Sequence, residues 1–154
     1  EEVVKVELPV DAHLPHDYVP EERLRLAAYR RLADARTLED VTGVVEELMD
    51  RFGTLPTPVE TLVSIARLRV NLQAVGITEV IATTSNVKFS PVELLESRVL
   101  RLNRMYPGSV IKPATRTIVV PRTKDSLIGS TAQAADVDLV EWVNTWVATI
   151  VATA

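Results

Sequence analysis

The sequence predicts an α+β fold, a single compact domain with helices packed on a small mixed or antiparallel sheet. Three observations carry that prediction. Between Glu21 and Gly76 the apolar residues recur at helical spacing, whereas all but one of the strand-like runs come later, between Ile77 and Val120. Helices first and strands afterwards do not make the regular βαβ alternation of a doubly wound sheet. The 154 residues, 47% of them hydrophobic, suit one ordinary domain able to bury a core without staples, so residues 1–154 are read as one unit.

The elements follow in order. Val3 to Leu8 alternates through Lys5 and Glu7 and stops at Pro9, which reads as a strand near a sheet edge. The segment DAHLPHDYVP is a loop, broken by Pro15 and Pro20. Glu21 to Ala35 is a helix with Leu24, Ala28 and Leu32 on one face. Thr37 is the expected N-cap of the next helix, with Glu39 and Asp40 in its first turn and Leu38, Val41, Val45, Leu48 and Phe52 as its apolar stripe. Gly53 supplies its C-terminal stop, and Pro56 prevents the helix from resuming. Pro58 opens a helix to Val75, closed by Gly76. Its apolar residues cover more than one face, so it is the central, most buried helix, with Arg67 and Arg69 reaching outward.

Ile77 to Thr83 and Asn86 to Phe89 read as two strands joined by a short polar turn. Ser90-Pro91 is a cap-plus-first-turn signal for a helix through Asn103. Pro107-Gly108 turns the chain into short strands at Ser109 to Ile111 and Thr115 to Val120. Residues 121–135 are small and polar, a flexible loop, and Asp136 or Asp138 caps a last helix carrying Leu139, Trp142, Val143, Trp146 and Ile150.

Several function classes fall away. No phosphate-binding GxxxxGK[ST], GxGxxG or GxSxG run occurs, and five glycines offer no backbone cradle for phosphate. Without cysteine there is neither a disulfide framework nor a thiolate metal site, which suits a reducing cytoplasm. Asp11, His13, His16 and Asp17 are the one cluster with a catalytic or metal-binding look. Pro15 between the histidines opposes the helix that would align them, so they read as surface loop residues. Val137 to Ala154, the most apolar segment, contains Asp138, Glu141 and Asn144 and does not read as a membrane span. The start at Glu1-Glu2, with no initiator Met and no leader pattern, is expected of a mature or excised domain.

A net charge of −4 does not suit a general nucleic-acid binder. Arg23, Arg25, Arg30 and Arg31 on one helix and Arg98, Arg101 and Arg104 on another read as solvated faces with intrahelical ion pairs, because no aromatics interleave them for base stacking. The charge is concentrated elsewhere. From Leu38 to Phe52, Glu39, Asp40, Glu46, Glu47 and Asp50 face a single base, Arg51, so this one helix carries the whole imbalance. With its apolar stripe inward, Glu39, Gly43, Glu46, Glu47 and Asp50 point outward, with Arg51 at the margin. Glu47 and Arg51 stand at i,i+4 and can pair; Asp50 sits near the helix C-terminus, where the macrodipole disfavours an anion. Gly43 on that face leaves room for another backbone to approach. The balance is slightly unfavourable for a free surface and hints at a basic partner. Trp142 and Trp146, at i and i+4, read first as packing for the last helix and second as a self-association contact.

Three runs carry a resemblance: VELPVDAHLPHDYVP, RLRLAAYRRLADA and EELMDRFGTLPTPVETLVSIARLR. Together they resemble the C-terminal domain of the bacterial transcription-repair coupling factor family, from Val3 to Ile77 and more weakly through Lys112 to Val120 and Trp142-Val143. The resemblance implies a non-catalytic regulatory domain of an ATP-dependent double-stranded-DNA translocase in transcription-coupled nucleotide excision repair. It implies no catalytic residue, cofactor or metal in this domain, with ATP, Mg, DNA and RNA polymerase handled by other parts of the parent. It further implies docking on an N-terminal UvrB-homology module, which masks the UvrA-binding surface and restrains the motor. The family's contact run E-x-x-D-R falls on Glu47, Asp50 and Arg51.

Overall fold

The computed structural model describes residues 3–122 and 132–152. In chain order the elements are β1 (Lys5–Glu7), α1 (Glu22–Asp34), α2 (Leu38–Phe52), α3 (Thr57–Val75), β2 (Glu79–Ala82), β3 (Asn86–Ser90), α4 (Glu96–Met105), β4 (Val110–Lys112), a single 3-10 turn (Pro113–Thr115), β5 (Thr117–Pro121) and α5 (Ala132–Trp146), which runs on into a wider π turn (Val147–Val151). The fold is α+β, as the sequence predicts.

The sheet order is β1-β2-β3-β5-β4. β1 pairs parallel with β2, and every other pair is antiparallel. The register aligns Val80 with Phe89 and Phe89 with Ile118, while Val87 meets Val120, so one face of the sheet carries the fully buried residues. Period-two alternation along β3 puts Val87 and Phe89 inward and leaves Lys88 half-exposed. α3, α4 and α5 cover that face through Leu68, Leu72, Leu102, Val143 and Trp146.

A second core lies among the first three helices and the loop before them. Leu14, Tyr18 and Val19 of that loop join Ala28, Leu32, Val41, Val44, Leu48, Val59 and Val63. α3 belongs to both cores, offering Val59 and Val63 to one and Leu68 and Leu72 to the other. That double role explains its apolar residues on more than one face. It ends at Gly76, whose left-handed φ of 80° suits a residue without Cβ.

Three expectations are corrected. Ser90-Pro91 ends β3 instead of starting a helix, and α4 begins at Glu96. The backbone of Ser90 is engaged in the sheet, its carbonyl accepting from Thr78 N–H at 3.1 Å, and Val92 N–H donates to Arg116 at 2.7 Å. Pro121 is paired with Asn86 at the end of β5, and α5 starts at Ala132, ahead of the Asp136 or Asp138 cap; residues 123–131 of the expected loop lie outside the described residues. Arg67 and Arg69 are half-buried, and burial lowers the Arg69 guanidinium below its ordinary range.

Candidate functional site

α2 is fixed at its start, its middle and its end. At the start, Thr37 Oγ1 accepts from Asp40 N–H at 3.0 Å, and the Asp40 carboxylate accepts from Arg36 N–H at 3.0 Å and Thr37 N–H at 3.2 Å. This reciprocal capping box satisfies donors that a helix start otherwise leaves open. The N–H groups of Arg36 and Thr37 favour the charged carboxylate and hold Asp40 below the usual carboxylate range. Its contribution to stability is therefore present at neutral pH and fades as pH falls through that lowered value.

At the end, Gly53 adopts φ 90°, a backbone geometry open to glycine, and its N–H donates to Met49 at 3.0 Å. The Tyr18 hydroxyl reaches back to the carbonyls of Gly53 (2.8 Å) and Leu48 (3.3 Å). Its ring lies 5.8 Å from that of Phe52, and burial raises the phenol pKa. In the middle, Arg31 in the last turn of α1 pairs with Glu47.

The buried arc of α2 consists of Val41, Val44 and Leu48. At about 100° per residue its centre is rotated roughly 30° from Val41 toward Val44. Val45 and Phe52 then fall on the flank, half-buried, and Leu38 lies further round, 45% exposed, which corrects its place in the stripe. The same rotation aims Glu39, Glu46 and Asp50 most directly at solvent. Glu47 lies on the flank that faces α1, where Arg31 meets it. The expected Glu47–Arg51 pair gives way to this contact, and the Arg51 guanidinium sits 5.7 Å from the Phe52 ring centroid. Among the described residues Glu46 and Asp50 have no ion-pair or hydrogen-bond partner.

Gly43 lies beside a groove of about 400 Å³ between α1 and α2, whose walls include Arg31, Asp34, Glu39 and Val44. Beyond its chain neighbours and the backbone of its own helix, a Cβ built at Gly43 meets nothing within 4 Å. Gly43→Ala is therefore expected to stabilise the isolated domain by about 0.5–1 kcal/mol, the helix-propensity difference. Urea unfolding reads this directly; a lower midpoint would show that the helix needs glycine for its own packing.

The TRCF domain family matches residues 8–98, more than half of the sequence. The chain belongs to the TRCF domain family. It is 45% identical over 141 residues to the transcription-repair-coupling factor of Mycobacterium tuberculosis (strain CDC 1551 / Oshkosh), covering 91% of this chain and 11% of that protein. Against the transcription-repair-coupling factor of Escherichia coli (strain K12) the identity is 40% over 92 residues, covering 60% of this chain and 8% of that protein. The chain thus spans about a tenth of the length of the curated relatives it matches. A crystal structure of the C-terminal domain of a transcription-repair coupling factor superposes with a TM-score of 0.68 at 16% identity, over 94% of this chain and 95% of that one, and shares its fold.

The structure gathers Gly43, Glu46, Glu47, Asp50 and Arg51 on α2, with Arg31 and Tyr18, which sequence reasoning missed, holding that helix in place. It does not gather the remaining candidates there. His13 Nδ1 lies 2.7 Å from Asp11 Oδ1, His16 is exposed, and among the described residues no three potential metal ligands converge. Trp146 is fully buried and stacked on Phe89, ring centroids 3.8 Å apart, while Trp142 is half-buried against the edge of Tyr106 at 5.7 Å. The arginine faces are solvated at Arg23, Arg30, Arg31 and Arg104, but three arginines depart from that expectation: Arg25 donates to Val19 and Pro20 carbonyls, Arg98 to Ile150 and Arg101 to Thr149. Among the described residues no helix is long and apolar enough to cross a membrane.

Proposed function

We propose that this chain is a non-catalytic, autoinhibitory domain of a transcription-repair coupling factor. The outer face of α2 docks on the parent's UvrB-homology module, masking the surface that recruits UvrA and restraining the motor until RNA polymerase is engaged. The observation that carries this reading is a helix fixed at both ends whose outward carboxylates, Glu46 at its middle and Asp50 in its last turn, have no ion-pair or hydrogen-bond partner among the described residues. A rigid acidic surface is complementary to an arginine-bearing one and favours the correct register of docking. Family membership supports this parent, and the resemblance of the E-x-x-D-R run, at Glu47, Asp50 and Arg51, supports this choice of residues. Release is then a population shift, in which polymerase and DNA engagement favour the undocked state.

In the full-length parent, Glu47→Lys/Asp50→Lys is expected to tighten UvrA binding on the order of 5- to 150-fold, the span of ordinary allosteric couplings, and to raise basal ATPase. The isolated domain should keep its helical circular dichroism and its unfolding free energy within about 1 kcal/mol, because both side chains are exposed. Unchanged UvrA affinity in a folded double variant would overturn the reading.

A further inference from the structure

One of the outward acids of α2, Glu47, already has a cation. Arg31 Nη1 donates to Glu47 Oε2, bridging the last turn of α1 to the α1-facing flank of α2, and both side chains are 48% exposed. Arg31 also lines the groove beside Gly43. The docking face is therefore composite: Glu46 and Asp50 stand free, and Glu47 is held by a residue 16 positions earlier in the chain.

We infer that Arg31 is an internal competitor for the cation that docks on α2. The inference rests on the docking reading above and adds the device that sets how tightly that face holds. Two effects act in the same direction. Arg31 occupies an oxygen of Glu47 that an incoming guanidinium needs for two-pronged contact, since a carboxylate gives its best geometry when both oxygens face the fork. Its positive charge also offsets the negative potential that attracts such a group. An exposed pair of this kind contributes little net stability, because water solvates both charges, so it exchanges readily with an external arginine. The partner's matching group is accordingly a planar guanidinium and not a lysine ammonium, which lacks the fork. A docked state opposed by a resident cation is weak enough to be opened, as a switch requires.

The test is titration of this chain with the separate N-terminal module of the parent, at low and high salt, for wild type, Arg31→Gln, Glu47→Gln, the double variant and Asp50→Asn. Arg31→Gln is expected to lower Kd roughly two- to fivefold, the range an exposed ion pair supplies. In the Glu47→Gln background the same change should move Kd less than twofold, and the gain should vanish at high salt. If Asp50→Asn weakens binding while Arg31→Gln weakens it or leaves it unchanged, Arg31 positions Glu47 or stands by, and the competitor is overturned with docking intact. If neither Asp50→Asn nor Glu47→Gln alters Kd, the docking reading fails and the competitor with it.

Discussion

Trp146→Ala is expected to destabilise the domain by about 3–5 kcal/mol, the usual cost of truncating a fully buried aromatic. The indole is completely inaccessible and stacks on Phe89 at 3.8 Å with an interplanar angle of 12°, at the point where α5 meets the sheet. Phe89 in turn aligns with Val80 and Ile118 across three strands, so the cavity opens under the centre of the sheet. Ordinary domains hold only about 5–15 kcal/mol in total, so this single change removes a large share. Trp146→Phe is expected to lose far less. It keeps a ring against Phe89 and removes the indole N–H, which is buried with no hydrogen-bond partner among the described residues and carries a desolvation cost of its own. Trp142→Ala, at a half-buried edge contact with Tyr106, falls between them. Urea denaturation followed by circular dichroism measures all three; a Trp146→Ala loss below 1 kcal/mol would show that α5 is not integral to the core. Repeating the series across protein concentration separates this role from self-association, since a packing role gives the same midpoint at every dilution.

What was legible in the sequence is what the chain decides locally. The Thr37 cap, the Gly53 stop and the Gly76 stop depend on residues within one turn, and all three are found in place. The outward placement of Glu46 and Asp50 also follows from helical rotation alone. Local signals misled where distant backbone made a better offer: the Ser90 carbonyl is taken by Thr78 N–H, so a good helix start became the end of a strand. Leu38, expected in the apolar stripe, is exposed, and Val44, which the stripe omitted, is buried, because the partners of α2, on α1 and α3, set its rotation. No spacing rule places β1 beside β2, a parallel pairing bridged by three helices.

The site shows the same division. Its acids were readable, but the groups that fix their helix were not, because Arg31 and Tyr18 reach α2 only after α1 and the preceding loop have packed. Tyr18 looked like an ordinary loop residue between two prolines. Its neighbours Leu14 and Val19 are buried with it in the helical core, and that burial brings its hydroxyl to the end of α2. A signal was available in the apolar character of Leu14, Tyr18 and Val19, which is more than a solvent-exposed loop needs.

The arginines of α4 give the second large effect. Arg98→Ala/Arg101→Ala is expected to cost about 2–4 kcal/mol, since each guanidinium donates a charge-assisted hydrogen bond in a partly buried setting. Their acceptors are the carbonyls of Ile150 and Thr149, both at 3.0 Å, in the π turn that ends α5. Carbonyls in the last turn of a helix lack the following N–H groups, and the macrodipole places partial negative charge there, so two cations at this end satisfy both deficits. α4 is itself tied down by Leu102, which is fully buried, so the arginines hold the end of α5 to an anchored element. Contacts of this kind should respond weakly to salt, in contrast to the exposed Arg31–Glu47 pair. The expected result is a loss nearly equal at low and high ionic strength, with faster amide exchange across residues 147–152. A double-variant loss under 1 kcal/mol, or one that disappears in high salt, would mean that these arginines only decorate the surface. The α2 face belongs to the other core, so the same variant, where folded, should bind the docking partner as wild type does; a change in that affinity would mean that the two cores are coupled through α3.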